Sequence, residues 1–221
     1  MRYLDLALYA EGKTDYQFLS PLLQRLCEEI CAQEAKQSVE VGPVLALNHP
    51  DSAKGAPREV RIVEAAEQAR GAWRVLFVHA DADGDAAHAR AHQTQPAIVA
   101  LRQQFDDQGF GVAVVPVRET EAWAIRDGEA LRQVFGTNLS DAALGLPQSM
   151  AAVEAAQDAK AILKAAFDIT RPSPQRRRQG VSPMLNALGE QVSLERLRQL
   201  SAFATLEAEL RAALKQLHIL S

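Results

Sequence analysis

The run Trp73-Arg74-Val75-Leu76-Phe77-Val78-His79-Ala80 constrains the fold more than any other segment, being short and nearly unbroken in its apolar character. A half-exposed strand alternates apolar and polar residues, and an amphipathic helix repeats about every 3.6 residues, whereas a parallel strand covered on both faces reads as a continuous apolar block. The segment therefore predicts a central strand of a parallel sheet. An acidic string, Asp81-Ala82-Asp83-Gly84-Asp85, follows it directly.

Neighbouring segments supply the rest of the sheet. Residues 3–10 are apolar except for Asp5 and predict a first strand, which Glu11-Gly12-Lys13 ends. Thr14 is a candidate helix N-cap, and Phe18, Leu19, Leu22, Leu23, Leu26, Ile30 and Cys31 recur at helical spacing, predicting a helix over residues 14–35. Residues 39–47 predict a second strand and residues 48–57 a loop. A second helix opens at Pro57 and closes near Gly71. A third helix over residues 96–107 leads to a fourth strand, residues 110–117, where Pro116 marks an edge position or the strand's end. Strand and helix thus alternate four times, which predicts an α/β fold: a four-stranded, mainly parallel sheet with helices on both faces. Beyond Glu119 no strand pattern returns. Helical segments at residues 150–156, 158–167 and 193–217 predict a helical extension over residues 131–221, packed on an α/β domain of residues 1–130. Residues 171–183, with three prolines and Arg176-Arg177-Arg178, read as a loop.

At 221 residues, with 48% hydrophobic and 24% charged residues, the chain can bury a sizeable core. A formal net charge of -4 argues against a protein that coats nucleic acid wholesale and leaves room for local basic patches. Cys27 and Cys31 share a helix face at a spacing unsuited to a disulfide, so they read as buried thiols. No apolar run reaches the length of about 18 residues that a membrane span needs, and the N-terminus enters a strand pattern without a cleavage motif. The expected location is the cytoplasm.

In an open parallel sheet, ligands collect outside the carboxyl ends of the strands. Glu11 follows the first strand, Asp81 and Asp83 the third, and Glu119 and Glu121 the fourth. Carboxylates brought together repel one another, and a hard divalent cation with oxygen ligands offsets that repulsion. Glu11, Asp81 and Asp83 are therefore the candidate metal ligands, with Asp85 either a further ligand or a cap for the next helix.

Other motifs fail on spacing. Gly12-Lys13-Thr14 resembles the end of a phosphate-binding P-loop, but Ala7 stands where the earlier glycine belongs. The acidic string lacks the glycine position and the closing glutamate of a calcium loop, where His92 stands instead. His88 and His92 lack the intervening glutamate of a zinc-protease helix and read as solvated. His79 reads as a satisfied core histidine, with orientation of Asp81 as the second possibility. Trp123 reads as core. The Arg176–Arg178 run, with Lys160 and Arg171 nearby in sequence, is the one basic cluster; it is either a solvated loop or a phosphate-backbone contact carried over the acids.

Three short segments together resemble a known family. Glu11-Gly12-Lys13-Thr14-Asp15, Asp81-Ala82-Asp83 and Glu119-Thr120-Glu121-Ala122-Trp123 occur in the order and at the fold positions of TOPRIM domains. They are most similar to a set of small stand-alone TOPRIM-like proteins related to OLD-type nucleases. The resemblance covers about the first 130 residues. It implies Mg²⁺- or Mn²⁺-dependent phosphoryl transfer on nucleic acid, with Asp81 and Asp83 as metal ligands and Glu11 as ligand or general acid/base. It also implies that Glu119 or Glu121 completes a second metal site and that Lys13 meets a phosphate oxygen. No nucleophilic tyrosine domain, zinc ribbon or polymerase accessory region accompanies these motifs. The resemblance therefore points to a hydrolytic nuclease, or to a nuclease-like component of a bacterial defence or DNA-processing system working beside an ATPase subunit. The alternative is a TOPRIM-like module that binds metal or nucleic acid and regulates a partner without turnover. A phosphatase with an aspartyl nucleophile ranks last, because its D-x-D would follow the first strand rather than the third.

Overall fold

The computed structural model describes residues 2–221. Strands β1 (Arg2–Tyr9), β2 (Val39–Ala46), β3 (Val75–His79) and β4 (Phe110–Val114) form one sheet in the order β2-β1-β3-β4. All three pairings are parallel. Helices α1 (Lys13–Glu34), α2 (Arg58–Gln68), α3 (Ala86–Ala89) and α4 (Gln95–Phe105) connect the strands, with one π turn, Arg90–Thr94, between α3 and α4. The fold is α/β, as the apolar pattern predicts, and the sheet is wholly parallel rather than mainly so.

Every residue of β3 is buried on both faces. Val75 and Phe77 face one core with Leu4, Leu6, Leu8, Val112 and Val114, covered by α1 and the helices beyond β4. Leu76 and Val78 face the other with Ala7 and Tyr9, covered by α2 and α4. Each such side chain contributes roughly 1.5–3 kcal/mol when fully buried, so β3 is the strand the sheet is least able to lose. β2 lies at the edge, where Pro43 is tolerated next to a register shift opposite Leu4 and Leu6. At the other edge β4 stops at Val114, so Pro116 marks both the edge and the end. Trp73 lies outside β3 and packs edge-on against Phe105, its indole N–H donating to Ala66 O at 3.0 Å.

The rest of the chain is helical: α5 (Glu121–Ile125), α6 (Gly128–Phe135), α7 (Met150–Glu154), α8 (Ala159–Ile169), α9 (Pro174–Gln179), α10 (Leu185–Gln191), α11 (Leu194–Leu197) and α12 (Ser201–Gln216). These helices share one continuous apolar core with α1 and the sheet. Trp123 belongs to it, 2% exposed and edge-on to Phe203. Cys27 and Cys31 are buried free thiols.

Two expectations need correction here. The proline- and arginine-rich stretch is not all loop: Ser173 caps a short helix through the Arg176 N–H, Pro174 supplies its first turn, and Gly180 closes it at φ +67°. The helix expected over residues 193–217 is broken at Arg198-Gln199-Leu200, with Leu200 extended. The break turns the Arg198 guanidinium onto buried Glu207 (2.9 and 3.0 Å) and Glu29 (2.7 Å), joining α12 to α1. A smaller difference falls at the start of α1. Gly12, not Thr14, precedes α1. No described helix is long and apolar enough to cross a membrane.

Helix α10 crosses α1 closely enough that Arg25 donates to Gly189 O (2.9 Å) and Val192 O (3.0 Å). A Cβ on Gly189 would stand 2.2 Å from the backbone oxygen of Phe18, with no flexible side chain to give way. Gly189→Ala is therefore expected to destabilise the fold by about 1–3 kcal/mol through overpacking, read as a lower midpoint in urea denaturation. An unchanged midpoint would mean that α1 and α10 do not pack this tightly.

Candidate metal centre at the carboxyl edge of the sheet

Parallel register brings the strand ends level. Tyr9 pairs with Val78 and His79 with Val114, so the segments leaving β1, β3 and β4 emerge side by side. Tyr16 on the first turns of α1 ties this edge together: its hydroxyl donates to Leu47 O at 2.6 Å and accepts from Ala10 N at 2.9 Å. Asp15, one residue earlier, is only 8% exposed, and its Oδ2 accepts from Gly12 N at 2.9 Å. The acid that closes the turn between strand and helix is thereby held over the end of β3.

There it meets His79, which is fully buried. Nε2 of His79 is 3.0 Å from the Thr120 hydroxyl, with which it forms a hydrogen bond, and 3.2 Å from Oδ1 of Asp81. Nδ1 lies 3.9 Å from Oδ2 of Asp15. Asp15, His79 and Asp81 each offer a donor atom within 4.8 Å of the others. Nδ1 of His79 is buried without a hydrogen-bond partner, and Oδ1 of Asp81 is buried with only the 3.2 Å approach of Nε2, which is not aligned as a hydrogen bond. His79 is thus not the satisfied core histidine that its place in an apolar strand suggests. A buried polar atom left unpaired costs roughly 1–3 kcal/mol, and two carboxylates flanking one imidazole form a donor set that suits a divalent cation.

Glu121, at the start of α5, adds a further carboxyl. Burial pushes its pKa up, and the neighbouring charges of Glu119 and Asp15 push the same way, against its own backbone N–H and Lys160. Glu119 turns aside: its Oε2 accepts from Lys160 N at 3.2 Å, in the first turn of α8. Lys160 itself is exposed, and its charge reaches Glu121.

The other sequence-nominated residues are placed differently. Glu11 is paired with Arg58 at 3.1 Å and stands apart from the three-residue cluster. Asp83 is exposed at φ +49° in a loop pinned to the next one by Ala82 N to Arg118 O (3.1 Å) and Gly84 N to Val117 O (2.9 Å). Asp85 caps α3 through His88 N at 2.9 Å, the second of its two readings. Lys13 is exposed at the start of α1. His88 and His92 are exposed, with ring centroids 4.4 Å apart. Arg176 is held in the helical layer by Phe135 O (3.4 Å) and the Phe167 ring, whereas Arg177 and Arg178 are exposed. The segment after α9 returns to α1, where the Ser182 hydroxyl donates to Gln17 at 3.1 Å.

Residues that sequence reasoning did not bring into the site are Asp15, Thr120 and Arg58. Asp15 reads from sequence as a favourable first-turn acid, and the available hint was its place in the same segment as Glu11. Arg58 gives no local hint. Its guanidinium pairs with Glu11 while donating to His79 O (2.5 Å) and, within the π turn, to Gln93 O (3.2 Å).

A carboxyl whose folded pKa lies above its unfolded value favours the fold while protonated, and that advantage is lost as pH rises through the folded pKa. Glu121→Gln is therefore expected to raise the melting temperature at pH 7–8 in EDTA. The gain should fade as pH falls to about 4, near the ordinary glutamate value. A gain that does not change with pH would remove Glu121 from this charge cluster. No family model, curated protein or solved structure matches the chain, so the site is defined by its own geometry.

Proposed function

We propose that the protein is a metal-dependent phosphoryl-transfer enzyme, a nuclease hydrolysing phosphodiesters with Mg²⁺ or Mn²⁺ at the Asp15–His79–Asp81 cluster. The observation that carries this reading is the convergence of those three donors at the carboxyl edge, with buried Nδ1 of His79 and Oδ1 of Asp81 each lacking a hydrogen bond. Asp15 and Asp81 would hold the ion through oxygen, and the imidazole nitrogen of His79 favours Mn²⁺ over Mg²⁺. When bound, the ion supplies Lewis-acid polarisation of a phosphate and a lowered pKa for bound water.

The chain's own residues have separable tasks. Thr120 fixes the His79 ring. Glu121, with its raised pKa, is suited to hold or release a proton beside the cluster. Lys13 and Lys160, both exposed, supply charge for phosphate oxygens, and Arg177 and Arg178 are further exposed cations for a nucleic-acid backbone. The TOPRIM resemblance of the same three segments supports the reaction class, a nucleic-acid substrate and work beside an ATPase subunit in a defence or DNA-processing system.

The Arg58–Glu11 ion pair favours a second reading. It occupies the carboxylate that the resemblance nominates as general acid/base, as expected of a metal- and nucleic-acid-binding partner subunit without turnover.

The test is Mn²⁺ titration by calorimetry together with cleavage of single- and double-stranded DNA and RNA. One bound ion and metal-dependent cleavage are expected in the wild type. Asp81→Asn should weaken Mn²⁺ binding by about tenfold or more and remove cleavage. Glu11→Gln and Asp83→Asn separate the roles, since loss of cleavage with Mn²⁺ affinity retained would assign them to substrate or proton transfer. Ion binding without cleavage of any substrate would leave the partner-subunit reading. No ion binding in the wild type would overturn both.

A further inference from the structure

We infer that a second site, a basic cavity beside the acidic cluster, binds the terminal phosphate of a nucleotide. The cavity, about 660 Å³, opens between the ends of β1 and β2 next to α2 and includes none of Asp15, His79 or Asp81. Its charged lining is Lys13, Arg58, Arg61 and Glu11, joined by His49. Glu11 is taken by Arg58 at 3.1 Å. Among the described residues neither Lys13 nor Arg61 has an ion-pair partner, and Nε of Arg61 is buried without a hydrogen-bond acceptor.

The walls are built rather than adventitious. Arg58 is anchored by the carbonyls of His79 and Gln93 and lies 5.8 Å from the centroid of the Tyr9 ring. Tyr9 is 4% exposed, and its hydroxyl shares a hydrogen bond with His49 Nδ1 at 3.0 Å. Two uncompensated cations, one of them a guanidinium with an idle buried N–H, match a dianion with several acceptor oxygens. A phosphomonoester, at about -1.5 to -2 charge, fits that description better than a singly charged diester. The volume falls in the range of small-molecule sites, roughly 300–1,000 Å³, so the phosphate arrives on a larger group. That this group is a nucleoside rests on the reading of the neighbouring cluster, whereas the anion site does not.

Calorimetry in EDTA tests it, with the metal cluster silent. The probes are adenosine, adenosine 5′-monophosphate, and a short oligothymidylate bearing either a 5′-phosphate or a 5′-hydroxyl. The phosphorylated member of at least one pair should bind about tenfold tighter or more than its unphosphorylated counterpart, as expected for charge-assisted hydrogen bonds. The preference should fall to near unity in Arg61→Gln and in Lys13→Gln, the latter an exposed position that leaves the fold intact. Preference confined to the oligothymidylate identifies a strand end as the source, and equal preference in both pairs identifies the nucleotide itself. No preference for phosphate in either pair, or a preference untouched by both substitutions, overturns the proposal. Because binding is read without metal, a cavity that takes phosphate in a protein that does not cut is distinguishable from a cutting protein with an indifferent cavity.

Discussion

Coverage of β3 on both faces is the constraint on which the carboxyl edge depends. A strand with Val75 and Phe77 in one core and Leu76 and Val78 in the other cannot shift register by one residue without exchanging the two sets. Its fixed position decides where His79 ends up, at the last point of the strand and sealed from water. The same register sets the ends of β1 and β4 beside it, so Asp15, Asp81 and Thr120 have only short spans of chain to cross before they meet the ring.

That placement carries an energetic cost. An imidazole without a partner on one nitrogen, beside a carboxylate oxygen without one, is less stable than an apolar filling of the same volume. Folds tolerate such groups where the surrounding structure over-determines them, and here it does: Thr120 holds one ring nitrogen, Gly12 holds Asp15, and the loop bearing Asp81 is pinned to the loop after β4. The acidic cluster and the basic cavity thus lie side by side with Glu11 and Arg58 on the boundary.

The fold was legible because parallel burial leaves an unmistakable trace. Trp73 to Ala80 has no alternation, and each flanking helix has its own apolar stripe. The helical part was less so, since α9 has no apolar face to announce it, and the break before α12 follows from where Arg198 must reach, a long-range demand that periodicity does not encode. Within the site, Asp81 could be read from its place after the strongest strand. Asp15 could not be separated from Glu11, because which of the two turns inward depends on how α1 leaves β1 and on Arg58, which belongs to a distant helix and captures Glu11 from the other side. For His79, burial in a strand ordinarily implies satisfaction; three-dimensional neighbours show instead that Nδ1 lacks a partner while Nε2 approaches Asp81 at 3.2 Å, which agrees with the second possibility, orientation of Asp81.

Arg58 has a further consequence. One guanidinium pairs with Glu11, holds the backbone of His79 and borders the cavity between β1 and β2. An anion that draws Arg58 away from Glu11 would free that carboxylate and loosen the residue that holds the His79 backbone. Thermodynamic linkage makes such an effect mutual: the factor by which occupancy of the cavity changes affinity at the acidic cluster equals the factor in the reverse direction. A single side chain thereby gives two neighbouring sites of opposite charge a shared equilibrium.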